Sequence, residues 1–538
     1  MSSSSPSPLP SLYIPTQFLK SCQAYDKYPR KLVGRSRYGV PLLELCQERF
    51  QNRQQSQDLF VPEKQLYIPY WDVLDSGLVE QRNLLSEVEL GEWLGDSFQQ
   101  DPADQTKYLN VRSDPLCRFI FLVAAGSTQP LELTPAALQR ILSYFQVMPS
   151  ILNFLYAYGG RNGDDRELRF SGFRTEKTLA DPNPGLVLDA LNRSGKRYQM
   201  CYNLKTVAVK DIDKSNLINM SWKIRQASVY HQFDVEKGTQ SWIIGDPLET
   251  MNGLVREHIH EERSHAHRFG TIHQAFRTSI ETHMVFTRWA CEEWRWHIES
   301  SEEIIENITY HFIDNAGMKL RWEPQSLTII QKRDEKLRET ITALEANAEI
   351  MDRLKVFYVN LVSDQDFPTQ VRSCATHSVN EFASQMDEYI YDTRMQIKRA
   401  KVLSTLVSDR KQILIQHLQA QTAARQEELT ARQEKLAKKA GLEAIAVRII
   451  TVITLFYLPA TFVSTFFSTN AVTFQNDGSD DSTSGNTTAP SQLALERFFE
   501  VSVPLMALTF GLAIAWYYYE RRQIRKQPAW MDEKHEMV

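Results

Sequence analysis

The pattern of apolar and polar positions is clearest near the C-terminus. Two apolar spans, Ile445–Phe467 and Phe498–Tyr519, are separated by a polar loop. Each has the ~20 residues that cross a bilayer as a helix. Thr454, Thr461, Thr465 and Ser468 fall on one face of the first span. An anchor has no need of such a hydroxyl stripe, whereas a helix lining a wet path does. Upstream, no proline interrupts Glu381 to Leu458, and Gly441 is the only glycine there. An apolar stripe runs through Phe382, Met386, Ile390, Ile397, Leu403, Val407, Leu414 and Leu418. It thins at Leu429, Leu436 and Ala440, then continues through Val447, Ile450, Thr454, Leu458 and Thr461. Spacing near a heptad predicts helices packed about a common axis. A stalk that becomes a pore-lining helix has this pattern; so does a coiled-coil tether ending in an anchor.

The earlier chain reads differently. Residues 1–114 mix short apolar stretches with charges and are expected to form a loosely structured lead-in. Cys117–Ala125 is a buried strand by pattern, and Ala136–Tyr158 a helix. Leu186–Ala190, Tyr198–Asn203, Trp222–Phe233 and Gln240–Ile244 are β-branched and aromatic runs between turn signals, and read as strands. Residues 115–300 are thus expected to form a mixed α+β domain. From Ser301 the pattern is helical: one charged helix over Ser326–Val362, a break near Pro368, then a stalk ending at 443. The first span follows at 444–469, a loop at 470–497, the second span at 498–519 and a basic tail at 520–538.

Composition adds orientation. Net charge is −5, so nucleic acid is not an expected partner. The six cysteines are scattered with no CxxC pair, which fits a reducing compartment. Met1–Pro10 is Ser/Pro-rich without an apolar core, so no signal peptide is expected there. Lys435, Lys438, Lys439 and Arg448 flank or enter the first span, and Arg521, Arg522, Arg525 and Lys526 follow the second. The loop holds Asp477, Asp480, Asp481 and Glu496. The excess of Lys and Arg at both flanks predicts two cytosolic termini and an external loop. Plasma membrane and vacuole both fit. Asn486-Thr487-Thr488 is then the one sequon on the glycosylated side.

A histidine cluster, His258, His260, His265, His267 and His273 with Glu261, offers zinc-type ligands but no hydrolase signature. A polar cytosolic segment is the favoured reading, and no metal is assigned there. Nucleophile elbow, P-loop and dinucleotide fingerprints are all missing, so neither an enzyme nor a cofactor is expected.

Leu458–Asn470 reads L-P-A-T-F-V-S-T-F-F-S-T-N, with Asn470 eleven residues after Pro459. This resembles the end of the first transmembrane helix of the CorA family of magnesium transporters: proline, T-F, then Y-G-M-N. Thr461 and Phe462 hold the T-F positions, while Phe467, Ser468 and Thr469 replace the family's Y-G-M. Pro504 early in the second span and the basic tail also match. The runs Cys117-Arg-Phe-Ile-Phe, Gln146-Val-Met-Pro-Ser and Phe170-Ser-Gly-Phe-Arg resemble a fungal group of CorA-like proteins.

The resemblance implies a homopentamer embedded in lipid that transports divalent cations, Mg²⁺ foremost. Asn470, Ser468 and Thr469 would form the pore mouth, which suits an ion that keeps its inner water shell. A helix C-cap is the other reading of Asn470. Thr465, Thr461 and Thr454 would line the pore, with Leu458, Ile450 and Val447 as apolar constrictions. Lys435, Lys438, Lys439, Arg521, Arg522, Arg525 and Lys526 would form an inner basic collar, a role compatible with simple anchoring. The family's regulatory acidic position on the stalk falls on neutral Gln433, with Glu434 beside it. A non-conducting anchored protein that keeps the scaffold is the alternative.

Overall fold

A computed structural model describes residues 12–56, 58–96, 98–100, 107–109, 112–159, 169–209, 222–260, 268–314, 324–468 and 492–524. The chain divides into two units, Met1–His417 and Leu418–Val538.

The first unit is built on a sheet of seven strands: β2 (Ile68–Val73), β3 (Val79–Leu84), β6 (Cys117–Ala124), β7 (Phe173–Thr178), β8 (Arg197–Val209), β9 (Trp222–Asp234) and β10 (Gln240–Pro247). Their order is β3-β2-β6-β10-β9-β8-β7, and only the β6–β10 pair is parallel. A small second sheet holds β1 (Leu12–Tyr13), β5 (Lys107–Leu109) and β4 (Gln99–Gln100) in that order.

Side chains alternate across a strand, and both faces of the large sheet are covered. Ile68, Tyr70, Ile120, Leu122, Tyr230 and Ile243 join a core with the N-terminal helices, among them Thr16–Gln23, Pro135–Tyr144 and Ile151–Leu155. Trp71, Phe119, Phe121, Val229, Trp242 and Ile244 join a second core under the helices Ile272–Cys291, Pro324–Ser363 and the start of Thr369–Ser468. Burial on both faces is why Cys117–Ala124 is a continuous apolar run rather than an alternating one.

Several expectations are corrected. The described residues between 12 and 114 belong to the folded unit, not to a lead-in: β2 lies inside the sheet between β3 and β6. Leu186–Ala190 is no strand. Two short 3₁₀ turns stand there, Pro184–Leu186 and Asp189–Leu191, and Leu188 between them makes only an isolated bridge with Arg193. The helix expected over Ala136–Tyr158 stops at Tyr144. Gln146 has φ 51°, and its side chain bonds Ser21 Oγ and Ser143 O while accepting from Val33 N. Helices also begin well before Ser301, at Thr250, Ile272 and Trp294.

The break near Pro368 is present, between the helices Pro324–Ser363 and Thr369–Ser468. The apolar stripe has a different origin at its start. Phe382, Met386 and Ile390 are buried in the chain's own second core and need no common axis of several chains. From Thr422 to Ile450, by contrast, every side chain is exposed.

Three buried histidines give this unit a pH dependence. Tyr202 Oη lies 2.6 Å from His283 Nδ1, and His283 Nε2 lies 3.1 Å from His231 Nδ1, beneath Trp242. His297 Nε2 meets Thr340 Oγ1 at 2.9 Å. Burial lowers His283 to about 3 and His297 to about 4, the latter helped by Arg333 and Lys336. Burial, then neighbouring His283, holds His231 well below the usual value. Between pH 6.5 and 4 the unfolded chain binds these protons and the folded chain does not, so stability falls as pH falls. At pH 5 the loss is about 2 kcal/mol for each of His283 and His297. Thermal unfolding at pH 7 and pH 5 checks this. A clear fall in Tm, reduced by His297→Gln, is expected; equal Tm values at the two pH values would contradict it.

Candidate functional site

In the second unit, the first apolar span lies within the helix Thr369–Ser468, and Pro459 stands inside it. The second lies within Gln492–Ile524, which contains Pro504. Glu496–Tyr519 is the stretch of the second helix long and apolar enough to cross a membrane. Residues 492–497 are helical, so the loop ends earlier than expected.

The first span has two distinct sides. Pro459 and Val463 are covered, and the Phe456 ring meets Phe510 edge-on at 6.3 Å between centroids. Val447, Ile450, Thr454, Leu458, Thr461 and Thr465 are exposed. At roughly 100° per residue, these six and Ser468 centre about half a turn away from the covered side. The face that carries the hydroxyls is therefore left open by the second helix, as are Ile449, Ile453, Tyr457 and Phe462.

The hydroxyls are not free to donate. Thr454 Oγ1 lies 2.7 Å from Ile450 O, Thr461 Oγ1 2.8 Å from Tyr457 O, and Thr465 Oγ1 2.7 Å from Thr461 O. A carbonyl only accepts, so each hydroxyl gives its proton to the preceding turn. What remains on the open face is oxygen lone pairs, suited to waters that point their protons outward from a cation. The same bonds satisfy a threonine in lipid, so the stripe alone does not require a wet path.

Ser468 is exposed at the end of the helix. Thr469, Asn470, Asn486, Arg525 and Lys526 lie outside the described residues. Lys435, Lys438, Lys439 and Arg522 are exposed, and Lys438 pairs with Glu434 at 2.7 Å along the helix. Gln433 is exposed. Of the histidine cluster, His258 and His260 end the helix Thr250–His260, and His273 opens the next. Glu261, His265 and His267 lie outside the described residues. Among the described residues, no three His, Cys, Asp or Glu side chains are placed to hold a metal ion.

The first unit holds polar machinery that sequence reading missed. Arg118 donates from Nε and Nη2 to Asp72 at 2.8 and 2.7 Å, and Trp93 Nε1 donates to the same carboxylate at 3.1 Å. Arg193 Nε bonds Asp114 at 2.5 Å. Burial disfavours the charge on Arg118, but Asp72 outweighs it and the guanidinium is held more firmly protonated than usual. The only signal in the sequence was one arginine inside an apolar strand.

The fold fits a CorA-like one, with a mixed α and β N-terminal unit, a 100-residue helix that ends in the first apolar span, and a second apolar helix after it. The model of the CorA-like transporters matches residues 20–313, more than half of the chain. The chain belongs to the CorA-like transporter family. The match lies wholly in the first unit and includes much of the stretch expected to be a lead-in.

Two solved structures are similar. The full-length CmaX protein is 10% identical over 82% of this chain and 97% of its own, with a TM-score of 0.29. The ZntB cytoplasmic domain from Vibrio parahaemolyticus is 9% identical over 62% of this chain and 97% of its own, with a TM-score of 0.25. At TM-scores this low neither likeness carries weight. No curated protein sequence matches the chain.

Proposed function

We propose that this chain is a divalent-cation transporter, with Mg²⁺ its principal ion, working as a homopentamer whose first spans together line the path. Two spans cannot enclose water by themselves, so the path needs several copies. The observation that supports this reading is the open face of the first span. It sets the hydroxyls of Thr454, Thr461 and Thr465 in line with Val447, Ile450 and Leu458, opposite the side that meets the second helix. Their protons are engaged within the helix, which leaves acceptors for the outer hydrogens of a hydrated cation.

In this reading Asn470 carries the outer mouth, helped by Ser468 and Thr469, and recognises an ion that sheds its inner waters reluctantly. The apolar rings below can gate by dewetting. Both termini are cytosolic, and Lys435, Lys438, Lys439 and the Arg521–Lys526 tail surround the inner end. Asn470→Ala in purified protein reconstituted into liposomes is expected to lower Mg²⁺ influx by tenfold or more. Unchanged influx would remove Asn470 from the mouth.

A non-conducting anchored scaffold remains the second reading. The replacement of the motif's glycine and methionine by Ser468 and Thr469, the neutral Gln433 at the stalk position and the long loop favour it.

A further inference from the structure

The first unit contains a cleft of about 690 Å³, within the range of small-molecule sites. It lies between the turn Ala125–Gln129 after β6, the facing ends of β8 and β9, and the middle of the helix Pro324–Ser363. The turn is fixed to β9: Gln226 N donates to Ser127 Oγ, and Gln226 Nε2 donates to Ser127 O.

The lining is unbalanced in charge. Among the described residues of the lining, Arg169, Lys205, Lys223, Arg225, Lys336 and Arg338 are basic, whereas only Glu335 and Glu339 are acidic. Glu339 already faces both Lys336 and Arg169, and Arg338 turns to Asp334. Lys205 and Arg225 have no carboxylate partner among the described residues. Lys205 is only 1% exposed. Its ammonium donates to Phe170 O at 2.9 Å and to Ser171 Oγ, both neutral.

The unmet hydrogen bonding points the same way. Among the described residues, two buried polar atoms of the lining lack a partner, Arg225 Nε and Trp222 Nε1, and both are donors. Buried cations and buried donors without acceptors are costly, and an anion removes both costs together. A metal cation would meet repulsion there, so this cleft is not a second site for the transported ion. The planar guanidinium of Arg225, two residues from Lys223 on the same face of β9, suits the several oxygens of a phosphate group.

We propose that this cleft binds a phosphate-bearing small anion carrying at least two negative charges, with Arg225 and Lys223, which share one face of β9, as its donors. The site stands on the first unit alone and is independent of any reading of the membrane path.

Calorimetric titration of pyrophosphate into the full-length protein in detergent, with EDTA present, tests the assignment. Saturable binding that weakens as NaCl is raised is expected. Arg225→Gln, at a partly exposed position, should weaken it about tenfold or more, without lowering Tm. Glu335→Gln, which removes a lining carboxylate, should tighten it. Citrate, of comparable charge but carboxylate chemistry, should bind at least tenfold more weakly. No saturable binding by the wild type, equal binding by Arg225→Gln, weaker binding by Glu335→Gln, or citrate binding as tightly as pyrophosphate would each overturn the proposal.

Discussion

Replacing Thr461 and Thr465 together by leucine is expected to reduce Mg²⁺ influx to the level of empty liposomes. Both side chains are exposed on the face away from the second helix, and both bond only to the backbone of their own helix. Their loss removes no contact between the two helices, and leucine is the better helix former. The effect should therefore fall on the path and not on the fold. In a pore, two rings of acceptor oxygens become two apolar rings, which extend the constriction at Leu458 and favour dewetting. On a lipid-facing anchor, the same change is neutral or mildly favourable. Flux measured beside oligomeric state separates the cases: an intact oligomer without flux supports the lining role, and an intact oligomer with wild-type flux removes it.

The second large effect concerns stability. Asp72→Ala should destabilise the first unit by about 3–5 kcal/mol, because it leaves the Arg118 guanidinium buried without its counter-charge. The arginine also sits over the Trp93 ring at 4.2 Å, and Trp93 Nε1 would lose its acceptor. Asp114, at 3.9 Å from Nη1, is too distant to replace a two-pronged bond. Pairing the change with Arg118→Met should recover much of the loss, since an apolar pair avoids the unpaired charge. Chemical denaturation of the four proteins of this cycle measures it. A single variant as stable as the wild type would contradict the role given to the pair.

Elements buried on two sides, or long and periodic, were legible in the sequence. Cys117–Ala124 is apolar because both sheet faces are covered, and the break at Pro368 follows from proline chemistry. The strand Ile68–Val73 was not legible. It carries Pro69 and Asp72, residues that usually mark loops, and only tertiary pairing with β3 and β6, together with Arg118, makes them acceptable in a sheet. Leu186–Ala190 failed the other way, an apolar run that stands in two short turns.

Site residues divide similarly. Periodicity alone placed the hydroxyls of the first span on one face. Which side that face takes relative to the second helix needed the Phe456–Phe510 contact. The cleft at Arg225 had no sequence signal, because Lys205, Trp222 and Arg338 come from three separate stretches joined only by the fold. The adjacent histidines at 258–273 drew attention, whereas His231, His283 and His297, which the fold buries, are far apart in sequence.

Mg²⁺ influx into liposomes that contain the purified wild-type chain as an intact oligomer tests the central claim most directly. The account predicts influx that follows the Mg²⁺ gradient and stands well above that of protein-free liposomes. Influx no greater than in empty liposomes, for Mg²⁺ and for other divalent cations alike, would contradict it and leave the anchored scaffold as the reading of this chain.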